Sequence, residues 1–230
     1  MNGKPRKNAG RAIAELSVVS FPTAESFDQW LEANHARTEG IWLKFAKKAS
    51  GVRSVTYPEA VGVALCHGWI DGQLKPLDER FYLQRFSPRR AKSIWSKRNV
   101  ERVVKLIEAG RMRPAGLAQV EAAKKDGRWE RAYDSPSTSV VPDDFRAALE
   151  KNAKARRFFS TLNRGNVYAM LFRIQTAKKP ATRAAQIEKF IRMLNEGQTI
   201  HPMLGAKKES PGRAPGRKRP QRSKPEPSDH

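Results

Sequence analysis

The alternation between Trp69 and Phe86 constrains this chain more than any other feature. Trp69 to Lys75 and Arg80 to Phe86 read as two strands of an antiparallel hairpin, joined around Pro76 to Glu79. With a turn of that length Asp71 falls nearly opposite Arg85. Ile70, Leu74, Tyr82 and Phe86 then share one face, and Asp71, Phe81, Leu83 and Arg85 the other. Gly40 to Lys48 supplies a further strand, with Ile41, Leu43 and Phe45 on one side and Trp42 and Lys44 on the other. Leu16 to Phe21 is short and β-rich and suits an edge strand.

Nearly everything else has helical spacing. Thr23 can cap a helix that buries Phe27, Trp30 and Leu31, and Thr56 with Glu59 forms a capping box for a helix burying Val61, Ala64 and Leu65. From Ser96 a helix carries Val100, Val103, Val104 and Ile107 and stops at Gly110. Pro114 opens another, with Leu117, Val120 and Ala123, and Trp129 and Tyr133 then pack back on the core. After the loop Ser135 to Val141, helices carry Phe145, Ala148 and Leu149, then Phe158 and Phe159, then Val167, Leu171 and Ile174, and last Ile187, Phe190, Ile191 and Leu194. The expected class is α+β: a small antiparallel sheet in the N-terminal half packed with helices, followed by a helical C-terminal half. The expected organisation is a disordered basic arm at 1–11, an α+β core at 12–134, a helical segment at 135–204 packed on that core, and a disordered basic tail at 205–230.

The net charge is +22 over 230 residues. Both ends are basic, but most of the excess lies between them. Such a chain attracts polyanions, most strongly at low salt. In the tail, Lys207, Lys208, Arg217, Lys218, Arg219 and Arg222 can contact nucleic acid nonspecifically, through phosphate and without sequence readout. One cysteine, Cys66, excludes an intrachain disulfide, and four scattered histidines give no metal-ligand spacing. No metal and no cofactor are expected. No stretch reaches transmembrane length, and the default location is the cytoplasm.

The residues with most binding potential cluster between Cys66 and Asn99. Trp69, Asp71, Arg85, Arg89, Ser93, Trp95, Ser96 and Asn99 can converge at the base of the hairpin and the start of the next helix. Arginine clamps phosphate or carboxylate, and a helix N-terminus adds backbone donors. The competing reading is architectural: Asp71 neutralises Arg85, Ser96 caps the helix and Trp95 fills the core. Cys66 and His67 point about 100° apart on a helix and form no ready catalytic pair. Nothing here fixes a catalytic residue.

Gly68 to Gly72, the Phe-Ser-Pro-Arg run at 86 to 89, and Ser93, Trp95, Ser96 and Asn99 resemble the YdeI/OmpD-associated, or bacteriocin-protection, family. Phe158 to Leu162, Ala177 to Arg183 and Leu194 to Gly197 are similar to that family's C-terminal helices, so the resemblance runs from about Phe21 to Gln198. It implies a role in tolerance of cationic antimicrobial peptides and an association with the cell envelope. Three functions follow. The first is a non-enzymatic stress-tolerance protein binding a small anionic ligand or a protein partner through Trp69 to Asn99. The second is a nucleic-acid-associated basic protein. The third is an enzyme using Asp71, Arg85 and Asn99 in a polar pocket.

Overall fold

Among the described residues of the N-terminal half, four strands and four α-helices surround one aromatic-rich core. The structure, a computed structural model, describes residues 16–203. The basic arm at 1–11, the tail from 205 and its six candidate nucleic-acid residues lie outside the described residues.

Strand β1 (Val18–Val19) lies at one edge of a sheet with order β1-β2-β4-β3. It runs parallel to β2 (Ile41–Ala46), while β2, β4 (Phe81–Pro88) and β3 (Trp69–Pro76) are antiparallel to their neighbours. The sheet is therefore mixed at this one edge. Strict alternation in β2 puts Ile41, Leu43 and Phe45 into the core. Helix α1 (Ala24–Asn34) starts at Thr23, whose hydroxyl accepts from the Ser26 N–H, and buries Phe27 and Leu31. Helix α2 (Tyr57–Cys66) starts with the Thr56/Glu59 capping box and is buried along nearly its whole length.

The hairpin register differs from the expectation. Asp71 pairs with Phe86, not Arg85, and a bulge lies between Asp71 and Leu74. The extra residue at Gly72–Gln73 is absorbed where the Gln84 side-chain amide donates to the Gly72 carbonyl at 2.6 Å. Paired residues share a face, so Asp71 stands with Phe86, whereas Arg85 stands with its other partner Trp42 on the opposite side.

Helix α3 (Lys97–Glu108) also turns differently from its apolar pattern. Its buried positions are Asn99, Val103 and Leu106, and Val104 and Ile107 are about 40% exposed. Ser96 caps it, and the preceding Trp95 is fixed in the core, so the entry sets the helix's rotation. Helix α4 (Pro114–Lys125) packs on the end of α2 with Gly116, Val120 and Ala123 inward, leaving Leu117 largely exposed.

A second apolar cluster is built from α5 (Asp143–Glu150), α6 (Ala153–Ser160), α7 (Arg164–Gln175) and α8 (Pro180–Asn195). Phe158 and Phe159 line its edge and are only partly buried. The fully buried residue of α6 is Ala155, whose small size lets α6 lie against α8. Tyr133 joins the two clusters by meeting Phe172 of α7 edge-on, with ring centres 4.9 Å apart. Asp134 adds hydrogen bonds with Gln175.

Two local arrangements generate tests. Gly116 sits against the carbonyl of Cys66, so a Cβ there has no room. Gly116→Ala should cost roughly 1–3 kcal/mol, read as a lower denaturant midpoint, because rigid backbone must move. The second is the buried His67, whose Nε2 lies 2.8 Å from Asp28, which also accepts from Arg113 at 3.1 Å. Burial pushes the Asp28 carboxyl up, but the His67 and Arg113 hydrogen bonds and charges outweigh it and the net direction is down. Its stabilisation is therefore present above the ordinary aspartate range and lost as pH falls through the depressed folded value. Asp28→Asn should flatten the acid limb of a stability–pH curve below about pH 4.

Candidate functional site

The hairpin, the start of α3 and the segment after α4 meet around a short backbone bridge. The Tyr133 N–H donates to the Trp95 carbonyl at 2.9 Å, and the Lys97 N–H donates to the Tyr133 carbonyl at 2.8 Å. This pairing sets Tyr133 beside the N-terminus of α3 and opens a cavity of about 200 Å³. Its walls are Tyr57 of α2, Asp71 of β3, Ser96, Arg98, Asn99 and Arg102 at the start of α3, Tyr133 with the Ser135–Pro136 turn, and Tyr168 of α7.

Asp71 is half-buried and accepts a hydrogen bond from the Tyr57 hydroxyl at 2.7 Å. Burial first, then the Asp71 hydrogen bond and charge, push the Tyr57 hydroxyl well above the usual phenol range. Burial, with the Asp71 charge adding to it, pushes Tyr133 the same way. Both phenols stay protonated at neutral pH; the Tyr57 hydroxyl already donates its hydrogen bond to Asp71, and the Tyr133 hydroxyl can donate. Arg98 and Arg102 stand one helical turn apart on the same side of α3. Asn99 is 8% exposed, and its side-chain carbonyl faces an Arg102 guanidinium nitrogen at 3.5 Å.

Behind this wall lies Arg89, only 6% exposed. Its guanidinium stacks on Trp95 at 3.6 Å from the ring centre, its Nε has no hydrogen-bond partner, and among the described residues its guanidinium makes one polar contact, a long 3.5 Å one to the Ile94 carbonyl. Burial depresses the Arg89 guanidinium to about 10, against an opposing push from Tyr133 and Asp71. A depression of that size corresponds to a folding cost on the order of 3 kcal/mol. Among the described residues no salt bridge offsets it, although cation–π stacking returns part.

Of the eight residues singled out in the sequence, Asp71, Ser96 and Asn99 line the cavity and Arg89 lies beneath it. Trp69 is buried in the core, and its indole N–H donates to the His35 carbonyl at 3.1 Å. Trp95 fills the core against Trp129. Ser93 closes a turn by accepting from the Arg90 N–H. The bulge in β3 puts Asp71 opposite Phe86, so Asp71 and Arg85 lie on opposite faces of the sheet and the expected Asp71–Arg85 pairing is absent. Sequence reasoning missed Tyr57, Arg98, Arg102, Tyr133 and Tyr168. Only the pair Arg98 and Arg102, four residues apart, left a readable signal.

Residues 138–197 match the family model described as Bacteriocin-protection, YdeI or OmpD-Associated. Residues 19–119 match a domain of unknown function (DUF8412). No curated protein and no solved structure matches the chain. The family likeness is thus carried by the C-terminal helices. Gly68 to Gly72 and the Ser93 to Asn99 cluster fall in the part whose matched domain has no known function. Among the described residues no helix is long and apolar enough to cross a membrane.

Arg89 separates stability from binding. Arg89→Met keeps the stem over Trp95 and removes the buried charge, so its melting temperature should equal or exceed that of the native chain. The same variant should weaken anion binding in the neighbouring cavity, as read by calorimetric titration with inorganic phosphate.

Proposed function

We propose that this chain is a bacteriocin-protection-type protein that acts by binding a small anionic ligand in the cavity between Asp71, Arg98, Arg102 and Tyr133. The single observation that carries this reading is the charge of the walls. Arg98 and Arg102 stand against one carboxylate, Asp71, with the buried cation of Arg89 behind them. In a partly dehydrated cavity such an excess favours an anion far more than at an open surface.

The cavity size supports a small ligand. About 200 Å³ is below the roughly 300–1,000 Å³ typical of drug-sized sites. The hydroxyls of Tyr57 and Tyr133 support binding rather than covalent chemistry, since their raised pKa keeps them protonated and poor nucleophiles, with the Tyr57 hydroxyl already donating to Asp71. The protective role itself rests on the family match at 138–197, whose helix α7 supplies Tyr168 to the cavity.

The test is survival of a bacterial host exposed to a cationic antimicrobial peptide. Expression of the full chain should raise survival clearly above that of a host carrying an empty vector. Arg98→Glu, an exposed substitution without a salt bridge to break, should accumulate normally and lose most of that gain. Equal protection by Arg98→Glu would detach protection from the cavity, and no protection by the native chain would sink the reading.

A further inference from the structure

Arg102 lines a second cavity as well. This one, about 450 Å³, lies between the N-termini of α1 and α2 and the middle of α3. Its walls include Glu25, Glu59, Arg102, Lys105, Leu106 and Arg111. Arg98, Arg102 and Lys105 follow one another at i, i+4 and i+7, so they form one stripe about 10 Å long. The two cavities are therefore consecutive stations along one side of α3, with Arg102 between them.

The acids of the second cavity are already engaged. The Glu59 carboxylate accepts from the Thr56 N–H at 2.8 Å and from its hydroxyl at 2.7 Å. Glu25 is held down first by a backbone hydrogen bond and then by Thr23. Among the described residues, Arg98, Lys105 and Arg111 make no salt bridge. The stripe thus offers cations to something outside the chain. An independent observation points the same way. Arg89, more than nine-tenths buried, keeps its Nε unpartnered, while its charge acts on Asp71 and Tyr133 in the first cavity's wall.

We propose that the ligand is a linear oligophosphate lying along α3, with one end in the Asp71 cavity and the other against Lys105 and Arg111. This rests on the anion-binding reading above and gives it a chemical class. A single carboxylate or orthophosphate reaches one station only, whereas a chain of phosphates spans the stripe and engages every cation in it. A stripe only about 10 Å long fits a small ligand better than a nucleic-acid strand. The oligophosphate is either free or the phosphate chain of a nucleoside triphosphate.

The test is calorimetric titration of the full chain at moderate salt with orthophosphate, tripolyphosphate, adenosine triphosphate and a single-stranded oligonucleotide. Tripolyphosphate should bind at least about tenfold more tightly than orthophosphate. Arg98→Ala and Lys105→Ala should each weaken it several-fold, and Arg102→Ala most. Arg156→Ala, which removes one exposed charge from α6, should leave it unchanged, and thermal melts would verify that each variant is folded. Tighter binding of adenosine triphosphate assigns the nucleotide source, and tighter binding of tripolyphosphate the free one. Equal affinity for orthophosphate and tripolyphosphate, with Lys105→Ala silent, overturns the extended ligand and leaves the single-cavity reading standing. Equal losses in Arg156→Ala reduce the effect to net charge and overturn the proposal. Preference for the oligonucleotide overturns the small-ligand form. Absence of binding to any phosphate overturns the inference too, even where Arg98→Glu still abolishes protection.

Discussion

The backbone pairing of Trp95 and Lys97 with Tyr133 is the contact on which the remaining structure depends. It closes two hydrogen bonds between segments more than thirty residues apart in sequence. On its inner side Trp95 packs on Trp129 within the first core. On its outer side Tyr133 meets Phe172, a residue of the second helical group. At its end Ser96 caps α3, and the N-terminal turn of that helix carries Arg98 and Asn99. One short bridge therefore fixes the rotation of α3, the position of a tyrosine wall and the contact between two apolar clusters. Backbone pairing suits this task, because its geometry is set by the chain and not by side-chain rotamers.

The electrostatics around that bridge run against stability. The Arg89 guanidinium is desolvated, and Asp71, whose charge acts on it, is occupied by the Tyr57 hydroxyl and makes no salt bridge with it. In a core selected for stability alone, an apolar residue of that length does better. Stacking on Trp95 explains how the charge is tolerated, not what it does there. A cation held in low dielectric just beneath a cavity projects its field into that cavity with little screening. Arg98 and Arg102, at the surface of α3, add to it from the other side. Strain of this kind is intelligible when a bound anion supplies the missing counter-charge.

Much of the fold was legible, because its determinants are local. The alternation of Ile41, Leu43 and Phe45, the Thr23 and Thr56 caps and the prolines opening α4 and α8 act within a few residues, and each is where the pattern placed it. The hairpin register was not legible, because the bulge at Gly72–Gln73 depends on a cross-strand contact from Gln84. That one extra residue in β3 carries Asp71 to the Phe86 face, away from Arg85, which stays with Trp42. The face of α3 failed for a related reason. Val100, Val104 and Ile107 give as good a stripe as Asn99, Val103 and Leu106, and only the anchored Trp95 decides between them. Within the candidate site, Asp71, Ser96 and Asn99 were readable since they lie close in sequence. Tyr57, Tyr133 and Tyr168 come from three distant segments, and each has a sufficient local explanation as helix start or core aromatic.

The position of the cavity bears on what the C-terminal helices can do without the rest. Tyr57, Asp71, Ser96, Arg98, Asn99 and Arg102 all come from the 19–119 region, and Tyr168 is the only lining residue from 138–197. Every cation of the site thus belongs to the part of unknown function. The segment that matches the bacteriocin-protection model contributes a hydroxyl wall and, through Phe172 and Gln175, a brace for Tyr133 and Asp134. A chain carrying the C-terminal helices alone has the brace and lacks the charges. The proposed anion recognition therefore needs the joined arrangement, in which the helical segment holds Tyr133 against the start of α3.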